Sequence, residues 1–292
     1  MLYDIALTID YDYGAPSDHS RTLMRLLPPD LAGEQRVLSR RLVITPAPDE
    51  RRDRIDFFGN LTSSAVWHRP IDAVRLSVTL RVERLASPPA MPPLPLADLP
   101  AALSGWRDLG PASPLHFTAP SPRVPDVPAI TAYARDAVAG AHDVAYAIES
   151  LGRALHRDMR FDAEATSVET GPDQAFAQRS GVCQDFAHVM IAGLRGLGIP
   201  AGYVSGFLRT DPPPGQPRLE GADAMHAWVR AWAGPQTGWV TFDPTNDQVA
   251  GLDYVIVAQG RDYGDVAPVL GAMRSAGAQD SKQAVDVIPV VA

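Results

Sequence analysis

A proline-dense stretch divides this chain of 292 residues into two parts. Between Pro88 and Pro128 the prolines follow one another so closely that neither a helix nor a central strand can continue through most of it, because proline lacks a backbone N–H and fixes φ. A chain of this length has room for roughly two domains. We therefore expect residues 87–128 to be a linker, lying mainly as extended chain on the surface, between an N-terminal domain of residues 1–86 and a second domain of residues 129–268.

The sequence before the linker alternates between apolar and polar residues with a period of two. Two runs show this clearly, and their apolar members are Tyr3, Ile5, Leu7, Ile9, Tyr11 and Tyr13, then Val74, Leu76, Val78, Leu80 and Val82. Such alternation is typical of strands that bury only one face. It predicts an antiparallel N-terminal β domain, folded as a β sandwich.

The spacing of apolar residues becomes helical after the linker. The predicted helices cover Ile130–Ala139, Asp143–His156 and Cys183–Leu197, and the predicted strands that follow cover Ala201–Leu208, Met225–Trp232 and Trp239–Phe242. Residues 269–292 are rich in Ala, Gly and Ser. We expect them to form a loosely ordered C-terminal tail, apart from a short apolar end.

Composition excludes several classes of function. The formal net charge of −8 argues against nucleic-acid binding, which usually needs a basic face. No apolar run approaches the roughly 18 residues that span a bilayer, and no basic region precedes an apolar stretch at the start, so we expect a cytoplasmic protein without membrane contact. The histidines lack metal-ligand spacing and no glycine-rich phosphate loop is present, so neither a metal nor a cofactor is expected.

The sole cysteine, Cys183, excludes an intramolecular disulfide and any zinc site of the Cys₂His₂ or Cys₄ type. It follows Ser180-Gly181 and stands at the predicted first turn of a helix. Unpaired backbone N–H groups and the helix dipole stabilise an anion there, and a thiolate is the form of cysteine that attacks carbonyls. A lone cysteine is otherwise most often a small buried apolar residue, which is the alternative.

Two further residues complete a candidate triad. The strands that contain His226 and Asp243 are joined by a short connection with turn residues, which we centre between Gly234 and Pro235. Pairing about that centre places His226 directly opposite Asp243, with Cβ atoms roughly 5 Å apart. A carboxylate at this distance fixes the imidazole tautomer and leaves the other ring nitrogen for a thiol.

Three segments carry a resemblance to a known family. Residues 181–187 around Cys183, 225–229 around His226 and 239–246 around Asp243 resemble the three core motifs of the transglutaminase-like superfamily. The β-rich N-terminal part is similar to the N-terminal domain of bacterial transglutaminase-like proteins, a group that is often described as cysteine proteases, and the similarity continues to Pro268.

This resemblance implies an α+β fold in which a papain-like core follows the β sandwich. It also implies that Cys183 attacks an amide or ester carbonyl to give a thioester, that His226 serves as base and acid, and that Asp243 orients His226. The backbone N–H of Cys183 is expected to supply one side of the oxyanion hole. Gln178 is a tempting second donor, but its spacing does not match clearly and we leave the second donor unassigned.

Other polar and aromatic residues have weaker claims. Trp228 and Trp239 share the His226 face by strand parity and either wall a substrate cleft or pack in the core, while Tyr203 and Asn246 are weaker cleft candidates. Structural roles are favoured for the other polar residues: packing or capping for His188, stabilisation of the helix start for Asp185, and surface ion pairs for Arg261, Asp262 and Tyr263.

We expect a thiol-dependent amide hydrolase or acyltransferase that acts on peptide, protein or small amide substrates, including glutamine-type amides. Hydrolysis is favoured because water is always available and no feature of the sequence marks an amine site. Two alternatives stay open: a non-enzymatic binding or assembly module that retains the core fold, and a small-molecule acyltransferase of the arylamine acetyltransferase type. No feature of the sequence specifies an oligomeric state.

Overall fold

The computed structural model describes residues 1–86, 91–210, 221, 223–274 and 279–290. The strands are β1 (Leu2–Met24), β2 (Gln35–Thr45), β3 (Glu50–Ile55), β4 (Leu61–Trp67), β5 (Ile71–Arg84), β6 (Arg160–Phe161), β7 (Ser180–Gly181), β8 (Ala201–Leu208), β9 (Met225–Trp232), β10 (Trp239–Asp243), β11 (Gln248–Val249), β12 (Tyr254–Gly260), β13 (Val269–Arg274) and β14 (Gln279–Pro289). The α-helices are α1 (Leu99–Gly105), α2 (Pro128–Ala137), α3 (Val144–Asp158), α4 (Pro172–Gln178), α5 (Cys183–Gly196) and α6 (Tyr263–Val266).

The long strand β1 organises the N-terminal part. Its first half pairs with β5 and β14, and its last residues, Arg21 to Met24, pair with β4 and β13. The described residues form a seven-stranded antiparallel sheet with the order β2-β5-β1-β4-β3, in which β13 and β14 also pair with β1. The two halves of the sheet share β1. The predicted alternation is confirmed, because Tyr3 and Leu7 are buried whereas Arg81 on the other face forms an exposed ion pair with Asp4.

The C-terminal segment belongs to this same sheet, so the prediction of a loosely ordered tail is wrong for the residues described. Both β13 and β14 pair with β1, and the side chains of Val285 and Val287 on β14 are fully buried. These two valines alternate with less buried positions and fill the core beside β1, so their burial orders the segment despite its small and polar composition. Residues 275–278 and 291–292 of the tail lie outside the described residues.

The linker is only partly extended chain. Its described part contains α1 and short 3₁₀ turns at Leu96–Asp98 and Pro114–Phe117. Pro100 and Pro114 occupy first-turn positions of α1 and of the second 3₁₀ turn, where a missing N–H leaves no helical hydrogen bond unmade. Residues 87–90, including Pro88, lie outside the described residues.

A second, five-stranded antiparallel sheet has the order β11-β10-β9-β8-β12. The helix α5 packs across β8 and β9, and its side chains from Gln184 to Arg195 are buried. The helices α2, α3 and α5 confirm the three helices predicted from sequence within a few residues, and the α+β class is likewise confirmed. In the described part of the chain, no helix is both long and apolar enough to cross a membrane.

Candidate active site

Cys183 is the first residue of α5, directly after Val182, whose backbone is extended. Asp185, in the first turn, folds back so that its Oδ2 accepts hydrogen bonds from the Val182 N–H (2.8 Å) and the Thr166 hydroxyl (2.6 Å). A Cβ at Gly181 would lie 2.5 Å from that oxygen, so glycine is needed beneath it. Burial raises the pKa of Asp185, and the two donors oppose this rise. The carboxylate therefore fixes the start of the helix, as predicted, and leaves Cys183 at its tip.

A hydrogen bond joins His226 directly to Asp243. The distance from His226 Nε2 to Asp243 Oδ2 is 2.7 Å, and the Asp243 side chain is completely buried. An ionised carboxylate only accepts hydrogen bonds, so Nε2 carries the proton of this bond. Cys183 is close enough to the same imidazole to raise the pKa of His226. The structure thus brings all three predicted triad residues together.

Five hydrogen bonds converge on the Asp243 carboxylate. Oδ2 accepts from His226 and also from Asn246 Nδ2 and the Tyr254 hydroxyl, both at 2.7 Å. Oδ1 accepts from the backbone N–H groups of Thr245 (2.8 Å) and Asn246 (3.2 Å). A buried carboxylate with this many donors is held in one orientation and stays ionised.

The register of the β9–β10 hairpin differs from the predicted one by two residues. Trp239 pairs with Trp232, and the turn is centred between Pro235 and Gln236, where the Ala233 N–H bonds to the Gly238 carbonyl at 2.8 Å. Asp243 is therefore not directly opposite His226, as the sequence had suggested. A slip of two residues keeps every side chain on its original face, so the diagonal pair still meets.

The charges of His226 and Asp243 stabilise each other. Burial alone would lower the pKa of His226, but its hydrogen bonds to Asp243 and Cys183, with the charges of both, raise it to about 10. Burial likewise would raise the pKa of Asp243, but the bonds from His226, Asn246 and Tyr254 lower it. The protonated imidazole is therefore favoured at neutral pH, and a protonated imidazole stabilises a neighbouring thiolate.

The four cleft candidates have different surroundings. Trp228 is completely buried, and its ring stacks on the His226 ring at a centroid distance of 6.3 Å, so it packs against the imidazole. Trp239 donates its indole N–H to the Ala112 carbonyl of the linker at 2.9 Å. Asn246 is exposed and lies 3.3 Å from His226 Nε2 in addition to its bond to Asp243. Tyr203 is buried on β8 between two other rings.

Tyr254 is a site residue that sequence reasoning missed. Its hydroxyl donates to Asp243 and accepts from Gln248 Nε2 at 2.6 Å. Tyr254 begins β12, and the only signal in the sequence is a tyrosine directly before the aliphatic residues of that strand. Its proximity to Asp243 depends on the order of strands in the sheet, which the local pattern does not specify.

The remaining polar residues near α5 have structural partners. Gln178 donates its amide to the carbonyls of Ser180 (3.0 Å) and Ala165 (3.5 Å). His188 is buried and accepts from the Tyr263 N–H at 3.1 Å, and burial lowers its pKa to about 4, so it is neutral and packs in the core.

The segment after β12 is ordered by its own carboxylates. Arg261 forms a two-pronged ion pair with Asp265, and Asp262 accepts from the Gly264 N–H at 2.8 Å at the start of α6. Asp262 also accepts from the Arg123 N–H at 2.9 Å, which ties the linker to this segment. Within the described residues, no group of three His, Cys, Asp or Glu side chains is placed to hold a metal ion.

Family comparisons cover both parts of the chain. A family model for the transglutaminase-like superfamily matches residues 131–244, and one for the bacterial transglutaminase-like N-terminal region matches residues 3–83. The first match contains Cys183, His226 and Asp243.

Two mycobacterial relatives align over most of their length, and a third relative aligns over a short segment. An uncharacterised protein of Mycobacterium tuberculosis is 35% identical over 267 residues, which is 87% of this chain and 82% of that protein. One from Mycobacterium leprae is 30% identical over 95% of each chain. A protein-glutamine gamma-glutamyltransferase of Pseudomonas aeruginosa is 39% identical over 82 residues, covering 28% of this chain and 12% of that protein.

A solved structure shares the fold. It is that of a candidate cysteine protease from Cytophaga hutchinsonii, which superposes with a TM-score of 0.74 at 20% identity. The superposition covers 98% of this chain and 90% of that one, so the two proteins have the same arrangement of the N-terminal sheet and the helix-containing part.

Proposed function

The chain belongs to the transglutaminase-like superfamily, and on that premise we propose that it is a cysteine-dependent amide hydrolase or acyltransferase. The observation that carries the proposal is the hydrogen bond between His226 and the buried carboxylate of Asp243, with Cys183 at the tip of α5 close enough to raise the pKa of that imidazole. A buried structural cysteine would need neither a charged imidazole beside it nor a carboxylate with five donors behind that imidazole.

The proposed reaction has two stages. The Cys183 thiolate attacks the amide carbonyl carbon, and the π electrons of the carbonyl move to its oxygen. When the tetrahedral intermediate collapses, the C–N bond breaks, His226 gives its proton to the leaving amine, and a thioester remains. His226, now neutral, takes a proton from the incoming nucleophile, which attacks the thioester and releases Cys183.

The nucleophile that attacks the thioester determines whether the reaction is hydrolysis or transfer to an amine. We favour water, and hence hydrolysis of peptide or protein amides, because no feature of the described site marks an amine pocket. Transfer to an amine is the second candidate, since the 82-residue match to a protein named as a protein-glutamine gamma-glutamyltransferase spans part of the core. Two alternatives remain for the tests below to distinguish. One is a non-enzymatic binding module, and the other is an enzyme of the arylamine acetyltransferase type.

The first test is the rate of alkylation of Cys183 by iodoacetamide against pH, followed by intact mass. Cys183 is the sole cysteine, so every added group reports on it. We expect rapid alkylation that persists near pH 6, well below the free-thiol pKa of about 8.5. His226→Ala should abolish this low-pH reactivity, whereas His68→Ala, at an exposed histidine of the N-terminal part, should not. Alkylation that ignores His226, or that requires denaturant, would indicate a structural cysteine and a binding module.

The second test separates the activities. The protein is incubated with a glutamine-containing protein and a labelled primary amine, and both ammonia release and label incorporation are measured. Hydrolysis of glutamine side-chain amides predicts ammonia without incorporation, hydrolysis of peptide bonds predicts shorter peptides without ammonia or incorporation, and transamidation predicts ammonia together with incorporation. Each signal should vanish in Cys183→Ala. Protection of Cys183 by an acyl-coenzyme A, without turnover of protein amides, would instead favour small-molecule acyl transfer.

A further inference from the structure

In the described part of the chain, the strand β12 is the outermost strand of the five-stranded sheet and pairs with β8. An edge strand presents backbone N–H and C=O groups that face away from the sheet and need other partners. Tyr254, whose hydroxyl donates to the carboxylate of Asp243, is the first residue of this strand. The position of β12 therefore decides whether that hydrogen bond forms.

Two buried amide side chains of the N-terminal part bind the outer edge of β12. Gln35 Nε2 donates to the Ile256 carbonyl at 2.8 Å, and the Ile256 N–H donates to Gln35 Oε1 at 2.9 Å. Asn60 makes the same pair of hydrogen bonds with the backbone of Gln259, both at 2.8 Å. Gln35 and Asn60 are 2% and 1% exposed, so these bonds form away from water. Each amide thus takes the place of one residue of a neighbouring strand.

A β-bulge explains the spacing of the two pairs. In a regular strand the backbone groups that face one edge recur at every second residue, but Ile256 and Gln259 are three residues apart. The register of β12 against β8 shifts between Ile256 and Ala258, which adds one residue to β12. Both residues therefore direct their backbone groups towards the N-terminal part.

The Gln35 pair lies on the same row of the sheet as His226. Ile256 is opposite Gly206 of β8, and Gly206 is opposite His226 of β9. A Cβ at Gly206 would collide with the backbone of β12, so the two strands are in close contact at this row. Gln35 is itself anchored, because its Nε2 also donates to the Pro29 carbonyl at 2.9 Å. Close packing thus prevents β12 from moving inward, and Gln35 prevents it from moving outward.

Tyr3 supports the same end of β12. Its hydroxyl donates to Asp253 Oδ1 at 2.8 Å, and Asp253 directly precedes Tyr254. Val255 and Val257 of β12 are buried in the hydrophobic cluster that contains Tyr3. The N-terminal sheet therefore holds β12 by hydrogen bonds and by a shared core.

We propose that the N-terminal sheet is a positioning part of the active site, in which Gln35 holds β12 so that the Tyr254 hydroxyl fixes the carboxylate of Asp243. The proposal rests on the function proposed above. Gln35 is a positioning residue, because its hydrogen bonds are to the backbone of β2's neighbouring loop and of β12 and it acts on the triad through Tyr254.

Loss of the amide pair has a consequence at the nucleophile. The N–H and C=O of Ile256 would be left buried and unpaired, which favours a movement of β12 outward to water. Tyr254 would move with the strand and release Asp243. A carboxylate that is held less well stabilises the protonated imidazole of His226 less, so a smaller fraction of Cys183 is thiolate at low pH.

The experiment measures alkylation of Cys183 by iodoacetamide in the full-length protein at about pH 6 and at about pH 9.5, below and above the free-thiol pKa of about 8.5. The rate at high pH reports access to the sulfur, and the rate at low pH also reports stabilisation of the thiolate. Gln35→Met keeps a side chain of similar length and removes the amide. We expect it to slow alkylation at low pH about 10-fold, compared with about 100-fold for a catalytic group misplaced by 1 Å. The rate at high pH should stay within about threefold of wild type.

Asn60→Leu is the matched control. It removes an equal amide pair from the same edge of β12, but at Gln259, which is farther from Tyr254 than Ile256 is. Both rates should stay within about threefold of wild type. Tyr3→Phe is a milder second variant, which removes one hydrogen bond beside Tyr254 and should slow alkylation at low pH about threefold. It decides the question if Gln35→Met does not fold.

A double-mutant cycle tests the route through Tyr254. Tyr254→Phe should slow alkylation at low pH, and adding Gln35→Met should slow it no further, because both changes release the same carboxylate. Effects that multiply in the double variant, or an unchanged or faster rate in Tyr254→Phe, would overturn this route.

The remaining outcomes also decide the proposal. Unchanged low-pH alkylation in folded Gln35→Met, or an equal loss in Asn60→Leu, would overturn the positioning role and leave the proposed function intact. A loss of the same size at both pH values would show altered access to the sulfur and not a weakened triad. If wild type itself is not alkylated at low pH, the proposed function fails and the role of Gln35 fails with it.

Discussion

The replacement Asp243→Asn tests the electrostatic design of the site, because it preserves shape and removes one negative charge. In wild type, Oδ2 accepts three hydrogen bonds and Oδ1 accepts two. An asparagine has one oxygen, so its amide N–H₂ must face either the three donors or the two. At least two hydrogen bonds are therefore lost at a completely buried position.

The expected loss of stability follows from those bonds. A hydrogen bond to a charged group contributes about 1.5–3 kcal/mol, and an unsatisfied buried donor adds a desolvation penalty. Loss of two bonds lowers the free energy of unfolding by about 3 kcal/mol or more near neutral pH. This is a large part of the stability of an ordinary domain, which is about 5–15 kcal/mol.

The pH dependence has a defined sign. The pKa of Asp243 is lower in the folded protein, so its stabilisation is complete above the unfolded value of about 4 and is lost as the pH falls through the folded value. The pKa of His226 is raised to about 10, so its stabilisation is complete below its unfolded value of 6.5 and is lost as the pH rises through about 10. The difference between wild type and Asp243→Asn should be largest between these limits and should shrink at both ends.

The assay is urea unfolding at several pH values. Asp247→Asn is the matched control, because Asp247 is exposed and its carboxylate makes no hydrogen bond within the described residues. It should change stability by no more than about 0.5 kcal/mol. A free energy of unfolding for Asp243→Asn equal to that of wild type near neutral pH would refute the role assigned to the five hydrogen bonds. A loss that is the same at all pH values would refute the charge contribution.

Two packing predictions concern the regions around the site. Gly152→Ala should lower the free energy of unfolding by about 1–3 kcal/mol, because a Cβ there would collide with the ring of Phe242; in the same urea titration Gly140→Ala, which has open space, should be neutral or slightly stabilising. Val285→Ala should cost about 2 kcal/mol, since this fully buried residue of β14 fills the N-terminal core. Ile288→Ala on the exposed face of the same strand should change stability by less than about 0.5 kcal/mol, and equal effects at the two positions would contradict the pairing of β14 with β1.

The sequence predicts which three residues meet, but it does not predict correctly how the two strands that carry His226 and Asp243 are paired. Cys183, His226 and Asp243 were identified from their motifs and from strand parity, and the structure brings them together. The hairpin register was wrong by two residues, however, because a slip of two leaves the buried and exposed faces unchanged. The hydrophobic pattern is then identical in both registers, and only the conformation of the turn distinguishes them.

The sequence by itself determined the features that depend on the local backbone geometry of a single helix or strand. A period of two specifies which face of β1 or β5 is buried, and a period of 3.6 with a terminal glycine specifies where α5 runs and ends, because both patterns follow from the backbone of a single element. The tertiary structure alone decided which distant elements meet. It paired β14 with β1 and placed the Tyr254 hydroxyl on Asp243. Such contacts depend on strand order and on the simultaneous filling of a shared core, which no single segment of the sequence encodes.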